Sequence, residues 1–151
     1  MLKLKIPPAL LFLISVGLMW LINKYLPADG LNFRSNMSTA IAVFSIGVLI
    51  GLLGVWEFIR HSTTVNPHKP ENANTIVTTG IYKFSRNPMY VGLLIGLAAA
   101  VIYFGNPWTA IILPLFIWYM NVFQILPEEK MMKEKFGKDF REYKSSVRRW
   151  I

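Results

Sequence analysis

Apolar residues in this chain gather into four long runs, separated by polar stretches. The runs cover about 7–26, 39–59, 88–104 and 108–126, each roughly 17–21 residues, the length a helix needs to cross the hydrocarbon core of a bilayer. The pattern predicts an all-α integral membrane protein with about four transmembrane helices, built as a single membrane domain over residues 1–151. Lys3 and Lys5 precede the first run, as in a signal peptide. The run is long for that, and Leu26-Pro27-Ala28-Asp29 is a poor small-residue cleavage site, so a retained helix is expected.

The loop over 60–87 is polar and carries Pro67 and Pro70, whereas Gly105-Asn106-Pro107 is a very short link. A link that short makes the third and fourth helices an antiparallel hairpin. Beyond Leu126, an apolar stripe of Met132, Phe136, Phe140, Tyr143, Val147 and Trp150 recurs every three or four residues, with basic residues opposite. That predicts an amphipathic, cytoplasmic helical segment lying along the membrane face. Gly137 is expected to break it in two, and Asp139 and Glu142 have capping-box spacing for the second piece. The stripe either covers the end of the bundle or forms a lid on a ligand.

Composition agrees with a membrane protein: 54% of residues are hydrophobic, only 16% are charged, and the mean hydropathy is +0.41. The net charge of +8 lies in residues that flank apolar runs. It therefore points to orientation and anionic lipid headgroups rather than to nucleic acid. One side would carry Lys3, Lys5, Arg60, Lys69, Lys83, Arg86 and the basic tail, the other only Lys24 and Arg34. The positive-inside rule places the first group, both termini and the polar clusters among them, in the cytoplasm. Without cysteine there is no disulfide, thiolate metal site or cysteine nucleophile. His61 and His68 without clustered carboxylates give no metal site.

Two polar clusters stand at membrane entrances. The first is Tyr82, Arg86, Asn87, Pro88, Tyr90 and Gly92, where a polar loop becomes the third helix. Pro88 suits a first helical position and Asn87 an N-cap. A helix start adds partial positive charge, so with Arg86 it suits an anion such as a carboxylate. Arg86 also fits the positive-inside pattern alone. Gly92 and Gly96, like Gly47 and Gly51, have the spacing of close helix packing. Gly92 equally leaves room for a ligand beside the backbone. The second cluster is Glu128 and Glu129, where the fourth helix leaves the membrane past Pro127, an expected kink. Asn121, Gln124 and Glu128 share one helix face by spacing and would line the bundle interior or a wet cavity. Glu57 lies near Arg60 and His61, a local ion pair or a further polar lining residue.

The order Thr79-Gly80-Ile81-Tyr82, Arg86-Asn87-Pro88-Met89-Tyr90-Val91-Gly92, then Glu128-Glu129, Phe136-Gly137, Phe140, Tyr143 and Val147-Arg148 resembles the isoprenylcysteine carboxyl methyltransferase family, with the related phospholipid N-methyltransferases. The resemblance covers about residues 74–151. It implies a membrane methyltransferase using S-adenosylmethionine, with Arg86, Pro88, Tyr90, Gly92, Glu128 and Glu129 around the cofactor and Tyr82 and Asn87 beside it. Arg86 would take the carboxylate, Glu128 or Glu129 the ammonium or ribose hydroxyls, and Tyr90 the adenine or sulfonium. Arg86 and Glu129 are the expected catalytic pair. The family often has histidine where this chain has Asn87, which can donate a hydrogen bond but cannot carry a proton. The acceptor implied is a membrane lipid or a lipidated substrate: a prenylcysteine-like carboxylate or, alternatively, a phospholipid amine. Two other readings are a reductase of sterol double bonds, which would need more spans, and a non-catalytic membrane scaffold. Oligomeric state is not legible, since G-x-x-x-G serves packing within or between chains.

Overall fold

A computed structural model describes residues 6–28, 30–61 and 75–151. Lys3, Lys5, Asp29, Pro67, His68, Lys69 and Pro70, which entered the sequence reading, lie outside these. The described chain is helical: α1 (Pro8–Tyr25), α2 (Met37–Arg60), α3 (Pro88–Phe104), α4 (Ile112–Tyr119) and α5 (Leu126–Ser146). A 3-10 turn, Gly80–Lys83, precedes α3, and another, Pro107–Ile111, leads into α4. Three helical stretches are long and apolar enough to cross a membrane: α1, α2 and the continuous run Pro107–Ser146. α3 is shorter, at 17 residues, but entirely apolar in composition. The expected spans thus fall on helices, and the chain is an all-α, multi-pass membrane protein.

Local chemistry fixes the helix ends. Pro8 and Pro88 occupy the first turns of α1 and α3, where a missing N–H costs nothing. Asn36 caps α2, its side-chain oxygen accepting from the Thr39 N–H at 3.0 Å. α3 stops at Gly105, whose left-handed φ of 65° suits glycine. A Cβ there would also lie 2.7 Å from the Phe33 carbonyl oxygen. Asn106 then accepts from the Trp108 N–H at 3.0 Å and donates to the Leu26 carbonyl at 2.9 Å. The expected hairpin between α3 and the fourth span is formed, and this end of the bundle is stitched to the α1–α2 link.

α3 is the central helix. It packs against α1, α2 and α4, whereas the main partner of α2 is α3. The core gathers Met19 of α1, Tyr90 and Leu97 of α3, Ile112 and Phe116 of α4, then Met120 and Ile125. The outer face of α2 leaves Leu49, Leu52, Trp56 and Ile59 exposed, as a lipid-facing surface requires. The α2–α3 seam is made of backbone. A Cβ on Gly47 would stand 2.7 Å from the Gly92 carbonyl oxygen, and one on Gly92 would stand 2.6 Å from that of Gly47. Only glycine permits so close a crossing.

The fourth span is not uniform. Its α4 turns pass into a π-helix, Met120–Ile125, before α5. The Leu126 N–H reaches back five residues to the Asn121 carbonyl. Pro127 follows with no N–H to offer, so the wide turn takes up the ladder defect that a proline forces on a helix. The kink expected at Pro127 is therefore a π-bulge just ahead of it. Gly137 has φ 52° and ψ −109° inside α5 and breaks that helix in two, as its sequence position predicted.

Candidate functional site

The loop before α3 is built around its own serine. Ser85 Oγ accepts from the Asn87 N–H at 3.1 Å, turning the chain into the helix. Asn87 occupies the N-cap position of α3, but its side chain makes no cap bond. Its Nδ2 instead donates to the Arg149 carbonyl oxygen at 2.9 Å. The capping role expected of that side chain is thus replaced by a tertiary one, because the segment after α5 lies against the loop. The Arg86 N–H donates to the Arg148 carbonyl oxygen at 3.0 Å, and the Tyr143 hydroxyl to the Tyr82 carbonyl oxygen at 2.8 Å.

Arg86 and Glu129 meet. Arg86 Nη1 stands 3.1 Å from Glu129 Oε1, with both side chains 9% exposed. Lys144 Nζ donates to Glu129 Oε2 at 2.8 Å, and Arg149 donates through Nε at 2.9 Å and Nη2 at 3.0 Å. Three cationic side chains therefore converge on one carboxylate. Burial acts to raise the Glu129 carboxyl, but the hydrogen bonds from Arg149 and Lys144 and the charge of Arg86 outweigh it and hold the group below the usual carboxylate range. Burial lowers the Arg86 guanidinium, with Glu129 opposing.

Glu128, the adjacent residue, faces α3. Its Oε1 accepts from the Tyr90 hydroxyl at 2.8 Å and from Gln124 Nε2 at 2.7 Å. Asn121 accepts from Trp150 Nε1 at 3.1 Å. Gln124 and Glu128 share a face as their spacing predicted, while Asn121 is turned to the segment after α5. Gly92 is two positions beyond Tyr90, about 200° around the helix, and abuts Gly47 of α2. The crossing takes the place of a Cβ, while the Gly92 backbone also lines an apolar cavity of about 250 Å³ with Phe12 of α1, Phe44 of α2 and Met89 of α3.

Glu57 forms a separate cluster at the same end of the bundle. Its carboxylate accepts from the Thr79 hydroxyl at 2.5 Å. His61 Nδ1 lies 2.8 Å from the Glu57 carbonyl oxygen and 3.8 Å from its Oε2. Among the described residues the expected local contact runs to His61, and no ion pair runs to Arg60. Gly80 has φ 55°, and a Cβ there would collide with the Glu57 side chain. Tyr82 is buried beside Phe58, ring centroids 5.4 Å apart, with its hydroxyl raised by burial and by the charges of Glu128 and Glu57 among its neighbours. Pro88, the remaining predicted site residue, is buried in the first turn of α3.

Some donors in this region are left over. Among the described residues, Arg86 Nε and Nη1 and the Tyr82 hydroxyl are buried with no hydrogen-bond partner, Nη1 having only its ion pair. Buried polar groups in native proteins are nearly always satisfied. Unspent guanidinium and phenol hydrogens suit oxygen acceptors, and the Glu128 carboxyl suits an ammonium or hydroxyls, whereas Glu129 is already engaged by three cations. The residue set therefore fits a small ligand that brings oxygen acceptors to Arg86 and Tyr82 and a donor to Glu128. Sequence reasoning missed Lys144, Arg149 and Ser85 as members of the cluster. The two cations read as ordinary positive-inside residues, and no local pattern separates them from the others in the tail. No group of His, Asp or Glu able to hold a metal ion occurs among the described residues.

The sequence model of the phospholipid methyltransferase family matches residues 35–139. A protein-S-isoprenylcysteine O-methyltransferase of Saccharomyces cerevisiae is 26% identical over 139 residues, covering 84% of this chain and 56% of that protein. Protein-S-isoprenylcysteine O-methyltransferase A of Arabidopsis thaliana is 31% identical over 114 residues, covering 70% of this chain and 57% of the relative. An uncharacterized protein of Haemophilus influenzae is 43% identical over 65 residues, which is 42% of this chain and all of that protein. The chain spans little more than half the length of the two methyltransferases. No solved structure matches it.

Proposed function

This chain belongs to the phospholipid methyltransferase family, and on that premise we propose that it transfers a methyl group from S-adenosylmethionine to a lipophilic acceptor at the membrane. The observation that carries the reading is the buried Arg86 guanidinium at the mouth of α3, paired with Glu129 and holding hydrogens that no described residue accepts.

In this reading Arg86, backed by the positive end of α3, receives the cofactor's carboxylate. Of Glu128 and Glu129, Glu128, whose second oxygen is unengaged among the described residues, receives its ammonium or ribose hydroxyls while Glu129 holds Arg86, and Tyr90 and Tyr82 close the adenosyl side. Pro88 and Asn87 shape the entrance. When bound, the cofactor supplies an electrophilic methyl on a positively charged sulfur. The protein's contribution is alignment and exclusion of water, the two effects on which an in-line displacement chiefly depends. A carboxylate acceptor attacks without losing a proton. The names of the curated relatives favour such an acceptor, a prenylcysteine-like or other lipid carboxylate. The name of the matched family favours a phospholipid amine, which must first be deprotonated. Glu57, clear of the Glu129 cluster and bonded to Thr79, is the candidate base for that chemistry.

The positive-inside pattern puts this end of the bundle in the cytoplasm, with the exposed Lys130 and Lys138 of α5 against anionic headgroups. Calorimetry with S-adenosylhomocysteine in detergent tests the cofactor site. A methylation assay with labelled cofactor, lipid extract and prenylcysteine analogues identifies the acceptor. Binding with transfer to a lipid supports the proposal. Absence of binding favours a membrane scaffold that keeps the architecture without turnover.

A further inference from the structure

The segment 148–150 touches the loop before α3, the π-helix and Glu129. Its carbonyls accept from the Arg86 N–H at 3.0 Å, Asn87 Nδ2 at 2.9 Å and Ser85 Oγ at 3.4 Å. Its Trp150 indole donates to Asn121 in the π-helix at 3.1 Å. Between these contacts Arg149 sends two hydrogen bonds into the carboxylate of Glu129. The loop before α3, the fourth span and α5 thus share one clasp, and the loop that bears Arg86 is joined through it to the helix that bears Glu129.

We propose that Arg149 is a positioning residue of this site. It holds Glu129 at the depth and orientation at which the carboxylate faces Arg86, and it seats the 148–150 segment over the loop before α3. The site is complete only with that segment in place. The inference rests on the function proposed above, and it adds a residue that neither motif contains. The geometry favours arginine. A guanidinium engages a carboxylate through two fixed, parallel N–H groups, whereas an ammonium acts as a single point charge. Lys144 already supplies a point charge to the same carboxylate. What Arg149 adds is direction.

The test compares wild type with Arg149→Gln and Arg149→Lys in detergent. Hydrogen exchange over residues 85–90 is measured without ligand, and S-adenosylhomocysteine affinity is measured across a pH series. Losing a charge-assisted pair costs about tenfold or more in an equilibrium. Arg149→Gln is therefore expected to speed exchange at the Arg86 and Asn87 amides and to weaken binding about tenfold. Arg149→Lys, which keeps the charge and loses the fork, falls between the two. The groups facing Glu129 are Arg86 from the loop, Lys144 and Glu128 on α5, and Arg149, with Tyr143 beside Arg86. Without Arg149 the acid-side loss of binding moves to higher pH, a shift that a purely structural role would not produce.

Affinity in Arg149→Gln within twofold of wild type, or unchanged exchange over 85–90, overturns the inference. If wild type itself fails to bind S-adenosylhomocysteine, the proposed function falls, and the exchange measurement still decides whether Arg149 closes the clasp.

Discussion

The Tyr90 hydroxyl donates to Glu128 Oε1 at 2.8 Å, linking the first turn of α3 to the first turn of α5. Gln124 Nε2 donates to the same oxygen at 2.7 Å. Glu128 therefore keeps a partner when Tyr90 is altered. Tyr90→Phe is expected to leave the protein folded, to lower its stability by about 1.5–3 kcal/mol, and to weaken cofactor binding. Glu128→Gln keeps one accepting oxygen and replaces the other, on a group that burial already pushes up to about 7, with an uncharged NH2. It should preserve the thermal midpoint while weakening S-adenosylhomocysteine binding, and thermal shift alongside calorimetry checks both variants. Weakened binding in Tyr90→Phe with none in Glu128→Gln would show that the Tyr90 bond, not the charge, is what matters at Glu128.

Removal of Glu129 leaves Arg86, Lys144 and Arg149 facing one another around a mostly buried position. Breaking a buried pair from one side typically costs about 3–5 kcal/mol, and the partial exposure of Lys144 and Arg149 reduces that figure. Glu129→Ala should lower stability by roughly 2–3 kcal/mol, measured by thermal denaturation in detergent, and abolish cofactor binding. High salt, which screens the three cations, should recover part of the stability but none of the binding.

Acid should act on the same carboxylate. Its folded pKa lies below the ordinary value of 4.5, so the ionised form is favoured by folding. A depressed carboxylate contributes stability that is fully present above the unfolded pKa and is lost as pH falls through the folded one. The Glu129 contribution is expected to be flat from about pH 7 to 5 and to disappear progressively below about pH 4.5. The difference in thermal midpoint between wild type and Glu129→Gln isolates it. That difference should be constant in the upper range and shrink in the lower.

The glycine crossing makes a sharp internal control. A methyl at Gly47 would lie 2.7 Å from the Gly92 carbonyl oxygen, a backbone atom that cannot swing away. A methyl at Gly51 meets nothing within 4 Å. Gly47→Ala should destabilise by roughly 1–3 kcal/mol, the usual cost of overpacking, while Gly51→Ala is neutral. Thermal midpoints of the two variants in one detergent provide the comparison.

Much of this architecture was written in the hydropathy pattern. The four spans, the α3–α4 hairpin at Gly105-Asn106 and the break at Gly137 each follow from a local cause: run length, link length, or a residue able to take positive φ. The tertiary chemistry was less visible. Asn87 reads as a helix cap by residue type and position, but a carbonyl contributed by Arg149 competes for its amide. The π-helix is hidden because proline signals a ladder defect without saying on which side the chain absorbs it. Arg149 and Lys144 are two basic residues in a basic tail. Nothing in their neighbours distinguishes them from Lys138 or Lys130, which instead form exposed pairs with Glu142 and Glu134.

The Gly47–Gly92 contact has a mechanical meaning. Two chains that touch backbone to backbone have no flexible side chains between them to absorb sliding. Sliding of α2 along α3 presses backbone on backbone. The height of Glu57, ten residues and about 15 Å along α2 from that contact, is set from the middle of α2. Through Thr79 and Gly80 that height is passed to the loop carrying Arg86. A change in bilayer thickness should tilt this pair of helices as one rigid unit and leave the level of the loop against α2 untouched.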